Sequence, residues 1–147
     1  MPEVPSTAGA DSNCFVYALE NGDSARGQFV FQHLFDGNRR VVASTLALSE
    51  FLVSPYRDGT TAEVARVRAD FEALPGLELY PVTPEIADHA ARIRASTNIL
   101  LPDAIHIATA VVYGADAFLT NDRQLLRAAH ELPILILDDL VRASRSA

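Results

Sequence analysis

The chain has 147 residues, 49% of them hydrophobic and 21% charged, with a net charge of −7. A chain of this size can fold as one domain without disulfides or a structural metal, and a single cysteine, Cys14, excludes an internal disulfide. All twelve basic residues are arginines, which excludes chemistries that need a Walker A or Schiff-base lysine. The acidic balance also argues against a protein that binds nucleic acid by neutralising phosphates over a broad surface.

Nothing in the sequence indicates a membrane or an export signal. The N-terminus has neither the basic nor the apolar region of a signal peptide, and no apolar run approaches the length of a membrane span. A lone thiol is typical of a reducing compartment. We therefore expect a cytoplasmic protein with no membrane association.

The chain is predicted to form one domain over residues 10–140, between a flexible N-terminus, residues 1–9, and a flexible tail, residues 141–147. Inside the domain, helical and strand-like apolar patterns alternate. Helices are predicted over Phe15–Leu19, Ser24–Phe35, Thr61–Leu74, Pro84–Ser96 and Leu101–Tyr113. Strands are predicted over Val41–Ala43, Leu77–Tyr80, Ala117–Leu119 and Ile134–Leu137. This alternation predicts an α/β fold with a mostly parallel sheet and a ligand site beyond the carboxyl ends of the strands.

Four carboxylates fall where that rule places a site. Asp11 precedes an apolar segment, and Glu50 lies on a helix that follows the strand at Val41. Asp103 lies in the first turn of an apolar helix, and Asp122 directly follows a strand. Carboxylates brought together without cations would repel each other, and Mg²⁺ or Mn²⁺ prefers such oxygen ligands. The pattern predicts one or two divalent ions, with Asp11 and Asp103 as inner ligands.

Each of these positions also has an ordinary structural interpretation. Taken singly, Asp11, Asp103 and Asp122 could cap helices, and Glu50 could be a solvated charge on a helix face. The sequence alone leaves both interpretations open.

Three other residues are weighed and given lesser roles. Cys14 is expected to be a small core residue rather than a nucleophile. His106, one turn after Asp103, is expected to be a packed residue more often than a member of the site. Asp116 precedes its strand and should emerge at the opposite end of the sheet.

Four segments, in order, resemble the blocks of the PIN domain, and most closely those of VapC-type toxins. These segments are Asp11-Ser12-Asn13, Ser49-Glu50, the decapeptide from Leu101 to Ala110, and Leu119-Thr120-Asn121-Asp122. The resemblance implies a three-layer α/β/α fold and a metal-dependent endoribonuclease acting on RNA. It implies a catalytic, metal-binding quartet of Asp11, Glu50, Asp103 and Asp122, with Asn13 and Thr120 as supporting polar groups.

The residues before Asp11 depart from the family pattern. They are small, Ser6 to Ala10, where the family usually has an apolar strand. The first strand is therefore either short or wrongly placed.

The resemblance also implies partners, namely a cognate antitoxin and a second copy of the chain in a homodimer. Five aromatic residues on the early helices suggest a groove for an antitoxin segment: Phe15, Tyr17, Phe29, Phe31 and Phe35. They could equally all belong to the core. Two other functions stay open, a non-catalytic interaction module with the same fold and an aspartate-based phosphohydrolase, although Asn13 stands where the latter needs its general acid.

Overall fold

A five-stranded parallel sheet forms the centre of the molecule. The computed structural model describes residues 3–146, so residues 1–2 and 147 of the expected tails lie outside the described part. The strand order is β3-β2-β1-β4-β5, and every neighbouring pair is parallel. The strands are β1 (Thr7–Ala10), β2 (Arg40–Ser44), β3 (Leu77–Tyr80), β4 (Ala117–Thr120) and β5 (Ile134–Ile136).

The connections between the strands are helical. The α-helices of the described residues are α1 (Ser12–Leu19), α2 (Ala25–His33), α3 (Thr45–Asp58), α4 (Thr61–Glu72), α5 (Pro84–Thr97), α6 (Leu101–Val112) and α7 (Leu137–Ser146). A short 3-10 helix spans Arg123–Ala128. No helix among residues 3–146 is both long and apolar enough to cross a membrane.

Two apolar clusters, one on each side of the sheet, produce three layers. Successive residues of a strand point to opposite faces, so Phe118 joins the cluster formed with α5 and α6, while Leu119 joins the cluster formed with the other helices. In the second of these clusters, the ring of Phe15 lies 4.4 Å from that of Phe71. The expectation of an α/β/α sandwich is confirmed.

Close packing of α6 against β1 explains the glycine two residues before Asp11. A Cβ atom added to Gly9 would lie 2.5 Å from Cβ of Ala110 and 2.9 Å from the ring of Phe118. Since α6 leaves no room for a larger side chain, a buried central strand forms here without the usual bulky residues. The first strand is therefore short, and it directly precedes Asp11 as the motif requires.

The strand order creates a switch point between β1 and β4. From β1 the chain builds outwards through β2 and β3, and then crosses to place β4 on the other side of β1. At such a point the loops after the two strands diverge and leave a crevice at the carboxyl edge of the sheet. Asp11 follows β1, and Thr120 ends β4, so both lie at this crevice.

The structure places regular elements in both segments that we expected to be tails. Thr7–Ala10 pairs with β2 and β4 as the middle strand of the sheet. Residues 141–146 belong to α7, which buries Leu137 and Leu140 in the apolar cluster that contains Phe15 and Leu119. Small residues and a polar helix surface hid these elements from the apolar pattern.

Candidate active site

Asp11 occupies the crevice as a buried carboxylate. Only 5% of the residue is exposed, and its Oδ2 accepts a 2.5 Å hydrogen bond from Thr120 Oγ1. Its Oδ1 is buried without a hydrogen-bond partner in the described residues. Asp11 stands at the N-cap position of α1, but its side chain makes no capping hydrogen bond. The capping interpretation therefore does not explain this carboxylate.

Asp122 is tied to the same edge through Thr120. The backbone N–H of Asp122 donates to Thr120 Oγ1 at 3.0 Å. Its Oδ1 accepts a hydrogen bond from the backbone N–H of Gln124 at 2.9 Å and so caps the 3-10 helix. Asp122 is thus a cap as well as a carboxylate at the crevice.

Asp103 lies in the first turn of α6, where the backbone amides favour a negative charge. The N-cap of this helix is Leu100, so Asp103 is not the cap. Burial raises the pKa of Asp103, the charges of Asp122 and Glu50 raise it further, and His106 opposes them. Asp122, Glu50 and His106 therefore all lie within electrostatic range of Asp103.

The environment of Asp11 is similar. Burial raises its pKa above the ordinary value, and the charge of Asp103 adds to this effect. The hydrogen bond from Thr120 and the nearby His106 lower it in part. Asp11 is thus a desolvated carboxylate that is repelled by the charge of Asp103, which is the environment that a bound cation relieves.

Glu50 approaches the crevice from α3, and its Oε1 accepts two hydrogen bonds. Ser12 Oγ donates at 2.6 Å, and His106 Nε2 donates at 2.5 Å. The hydrogen bond from His106 is the main reason why the pKa of Glu50 lies below its ordinary value. Glu50 is therefore held as a charged carboxylate at the edge of the site.

Sequence reasoning underrated Ser12 and His106. A signal for each was present, because Ser12 follows Asp11 directly and His106 lies one helical turn after Asp103. Of the two supporting residues, Thr120 bonds Asp11, whereas Asn13 is exposed and its side chain makes no hydrogen bond within residues 3–146.

The donor set fits a hard divalent cation, although the ligands are not gathered around one point. Among residues 3–146, no group of three or more His, Cys, Asp or Glu side chains is close enough to form a complete metal centre. The unpartnered buried Oδ1 of Asp11 supplies one free oxygen. Asp103, Asp122 and Glu50 offer only carboxylate oxygens nearby, which suit Mg²⁺ or Mn²⁺.

Cys14 and Asp116 take the places that their positions in the sequence indicate. Cys14 is fully buried, and its thiol donates to the carbonyl of Leu119. Burial raises the pKa of this thiol well above the usual 9.0, so it is a poor nucleophile. Asp116 lies at the opposite end of β4, where its backbone N–H donates to Thr7.

The sequence has three arginine doublets, Arg39-Arg40, Arg66 with Arg68, and Arg92 with Arg94, and their side chains are engaged within the chain. Arg40 donates to both carboxylate oxygens of Glu78, and Arg94 donates to the carbonyl of Asn98. Arg39, Arg66, Arg68 and Arg92 each pair with an aspartate or glutamate a few residues away. These pairs lower the positive charge that the doublets offer to a nucleic acid.

Comparison with solved structures shows the same fold in several toxin–antitoxin proteins. A chain of VapBC2 from Rickettsia felis, solved with a promoter DNA fragment, matches with a TM-score of 0.70 and 16% identity over 88% of this chain and 98% of that one. A toxin-antitoxin complex from Klebsiella pneumoniae matches with a TM-score of 0.68 and 18% identity, covering 88% of this chain and 97% of that one. VapBC-1 from nontypeable Haemophilus influenzae matches with a TM-score of 0.68 and 17% identity, covering 90% of this chain and 98% of that one.

No curated protein matches the chain by sequence. The family profile of the PIN domain matches residues 10–131, which include the last residue of β1, all of β2 to β4 and all four carboxylates. The chain belongs to the PIN domain family.

Proposed function

We propose that the protein is a metal-dependent endoribonuclease that hydrolyses phosphodiester bonds of RNA. The observation that carries this proposal is the buried Asp11 carboxylate, which has an unpartnered Oδ1 and lies beside Asp103 at the switch point of a PIN fold. An isolated buried charge costs free energy, and a cation-binding role accounts for that cost.

The four carboxylates have distinct places in this proposal. Asp11 and Asp103 would hold the first Mg²⁺ or Mn²⁺ ion, and Asp122 and Glu50 would hold a second ion or orient the attacking water. The cation supplies Lewis acidity, which activates water and stabilises charge on the leaving oxygen. Thr120 keeps Asp11 in place through its hydrogen bond to Oδ2.

The cation also explains how an acidic protein can act on RNA. The chain carries a net charge of −7, and its arginine doublets are largely paired. Two dications would offset four of these negative charges at the point where the phosphate binds. Arg123 directly follows Asp122; its side chain is 58% exposed and pairs with Asp139 at 2.6 Å, and a flanking phosphate would compete with Asp139 for it.

We further propose that the protein is the cytoplasmic toxin of a toxin-antitoxin pair. The structural neighbours are proteins of toxin-antitoxin complexes, two of them VapBC, which supports an antitoxin partner for this chain. An arginine or lysine from that partner could enter the carboxylate cluster and displace the cation.

The structure narrows the surface that an antitoxin could cover. Three aromatic residues on and just after α2 test whether this helix offers an aromatic surface to an antitoxin. Phe29 and Phe35 are buried, while Phe31 is 39% exposed. Phe29 also lines a groove of about 550 Å³ between α2 and α7, together with Val141 and Arg145. Because Phe31 is exposed, α2 stays the proposed docking helix, with a smaller aromatic surface than the sequence suggested.

A homodimer is proposed on a separate surface. Val53 and Tyr56 on α3 are 49% and 70% exposed, which is unusual for apolar side chains so close together on one helix. Sedimentation equilibrium of the wild type and of Tyr56→Glu tests this, and a monomeric wild type would contradict it.

The decisive experiment is incubation of the purified chain with structured RNAs, with and without Mn²⁺ or Mg²⁺. We expect cleavage that requires a divalent ion and stops in excess EDTA. Cleavage that persists in EDTA would overturn the metal mechanism. If no RNA is cleaved with either ion, the alternative of a non-catalytic interaction module is favoured.

A further inference from the structure

Three side chains from three helices meet at one oxygen atom of Glu50. Ser12 on α1 and His106 on α6 both donate to Oε1, at 2.6 and 2.5 Å. Ser12 Oγ and His106 Nε2 lie 3.4 Å apart, so the two donors also touch each other. Every hydrogen bond that the described residues make to the Glu50 carboxylate goes to Oε1. The second oxygen, Oε2, is left without a partner from residues 3–146.

Burial of His106 costs more free energy than burial of an aliphatic side chain would. Its side chain is only 1% exposed, and its Nδ1 is buried without a partner in the described residues. A carboxylate can only accept hydrogen bonds, so Nε2 must carry the proton that points to Glu50. The neighbouring buried residues of α6 are apolar, among them Ala104, Ile107 and Ala108. An aliphatic side chain would fill this place without an unsatisfied nitrogen.

Glu50 needs such support because its own helix does not fix it. Its side chain is 39% exposed and would otherwise sample several rotamers. Its charge contributes to the raised pKa of Asp103, so its position matters to the cluster. Two donors on one oxygen fix the direction of the carboxylate.

Building on the proposed function, we propose that His106 and Ser12 are positioning residues that hold Glu50 through Oε1 and keep Oε2 available to a divalent cation or to the attacking water. Neither residue touches the reacting atoms in this assignment. Both act through the orientation of Glu50, as residues behind metal ligands commonly do.

The first test measures Mn²⁺ binding to the metal-free protein by electron paramagnetic resonance, without RNA. His106→Leu and Ser12→Ala remove one donor each, and we expect about tenfold weaker binding for each variant. His106→Gln and Ser12→Thr keep a donor at a similar distance and should restore most of the affinity. His89→Leu is the matched control. His89 lies on α5 and forms a 2.9 Å hydrogen bond with Glu131, which is not part of the carboxylate cluster.

The second test reads the hydrogen bond itself. In ¹⁵N spectra of the metal-free wild type, we expect His106 Nε2 to carry a proton and to show the signal of a hydrogen bond to a carboxylate. Glu50→Gln should shift the Nε2 signal, since its partner loses the charge. In RNA cleavage, His106→Leu should lower kcat about tenfold and leave KM for RNA nearly unchanged, because Glu50 acts after the RNA has bound.

The outcomes separate this inference from the proposed function. If the wild type binds Mn²⁺ and cleaves RNA while His106→Leu and Ser12→Ala match it, the inference is wrong and the proposed function stands. Ser12→Ala decides the matter if His106→Leu does not fold. If the wild type binds no Mn²⁺, the proposed function fails, and the inference fails with it because Glu50 then has no cation to face.

Discussion

Thr120 Oγ1 donates a 2.5 Å hydrogen bond to Asp11 Oδ2 across 109 residues of sequence. The same oxygen accepts the backbone N–H of Asp122, so one hydroxyl connects the loops that follow β1 and β4. The switch point is thus fixed by a side chain as well as by the sheet. Loss of this hydroxyl should affect both carboxylates.

Replacement of Thr120 by Val should therefore lower the free energy of unfolding by about 2 kcal/mol, since it leaves the buried Asp11 carboxylate without its donor. Thr120→Ser keeps the hydroxyl and should lower the free energy of unfolding much less. Urea denaturation of both variants measures the difference. Equal stabilities for the Val and Ser variants would mean that the hydrogen bond contributes nothing.

Replacement of Asp103 or Asp122 by Asn should reduce RNA cleavage by roughly 10²-fold or more, because each change removes a cation ligand while keeping the shape of the side chain. Asp122→Asn retains an oxygen that can cap the 3-10 helix, so its fold should be intact by circular dichroism. Asp116→Asn is the control, since it changes an exposed carboxylate at the opposite end of β4. Wild-type cleavage by either site variant would show that the assigned site is wrong.

The metal-free protein should become less stable relative to Asp11→Asn as the pH rises. Burial raises the pKa of Asp11 above 3.8 in the folded state, so the protonated form is favoured by folding. The stability that this form contributes is fully present below pH 3.8 and is lost as the pH passes the raised value. Asn at this position does not titrate.

Thermal unfolding between pH 4 and 7 in metal-free buffer measures this effect. We expect the difference in Tm between Asp11→Asn and the wild type to grow with pH, and Mg²⁺ to reduce it at pH 7. A difference that stays constant across this range would contradict the assigned environment of Asp11.

Cys14→Ala should cleave RNA at the wild-type rate. The thiol is fully buried, donates to a backbone carbonyl and has a raised pKa, so it cannot serve as the nucleophile. The variant should lose some stability, because it leaves a small cavity in the core. Loss of activity in a variant that folds normally would reopen a role for the thiol.

Phe31→Ala should weaken inhibition by an antitoxin and change the stability of the chain by less than about 1 kcal/mol, since Phe31 is 39% exposed on α2. Titration of RNA cleavage with the cognate antitoxin measures the inhibition. Val82→Ala is the control, because Val82 is an exposed apolar residue that lies outside both α2 and the proposed dimer surface. Inhibition of Phe31→Ala that equals that of the wild type would contradict the assignment of α2 as the docking helix.

The local order of residues in the chain was enough to predict the fold class and to single out the four carboxylates. Apolar periodicity and turn residues are local signals, so they predicted the alternation of strands and helices and the edge at which the acidic residues meet. The motif from Leu101 to Ala110, together with the three shorter blocks, was enough to predict the PIN family. The roles of Asp11, Glu50, Asp103 and Asp122 as ligands stay predictions.

Only the tertiary structure decided which polar groups pair across the fold. Ser12 and Glu50 are 38 residues apart, and Glu50 and His106 are 56 apart, so no local pattern shows that their side chains meet. The strand before Asp11 was obscured for the same reason. At Gly9, the close packing of α6 leaves no room for the bulky side chain that usually marks a buried strand. Contacts of this kind depend on which helix covers which strand, and that depends on the whole chain.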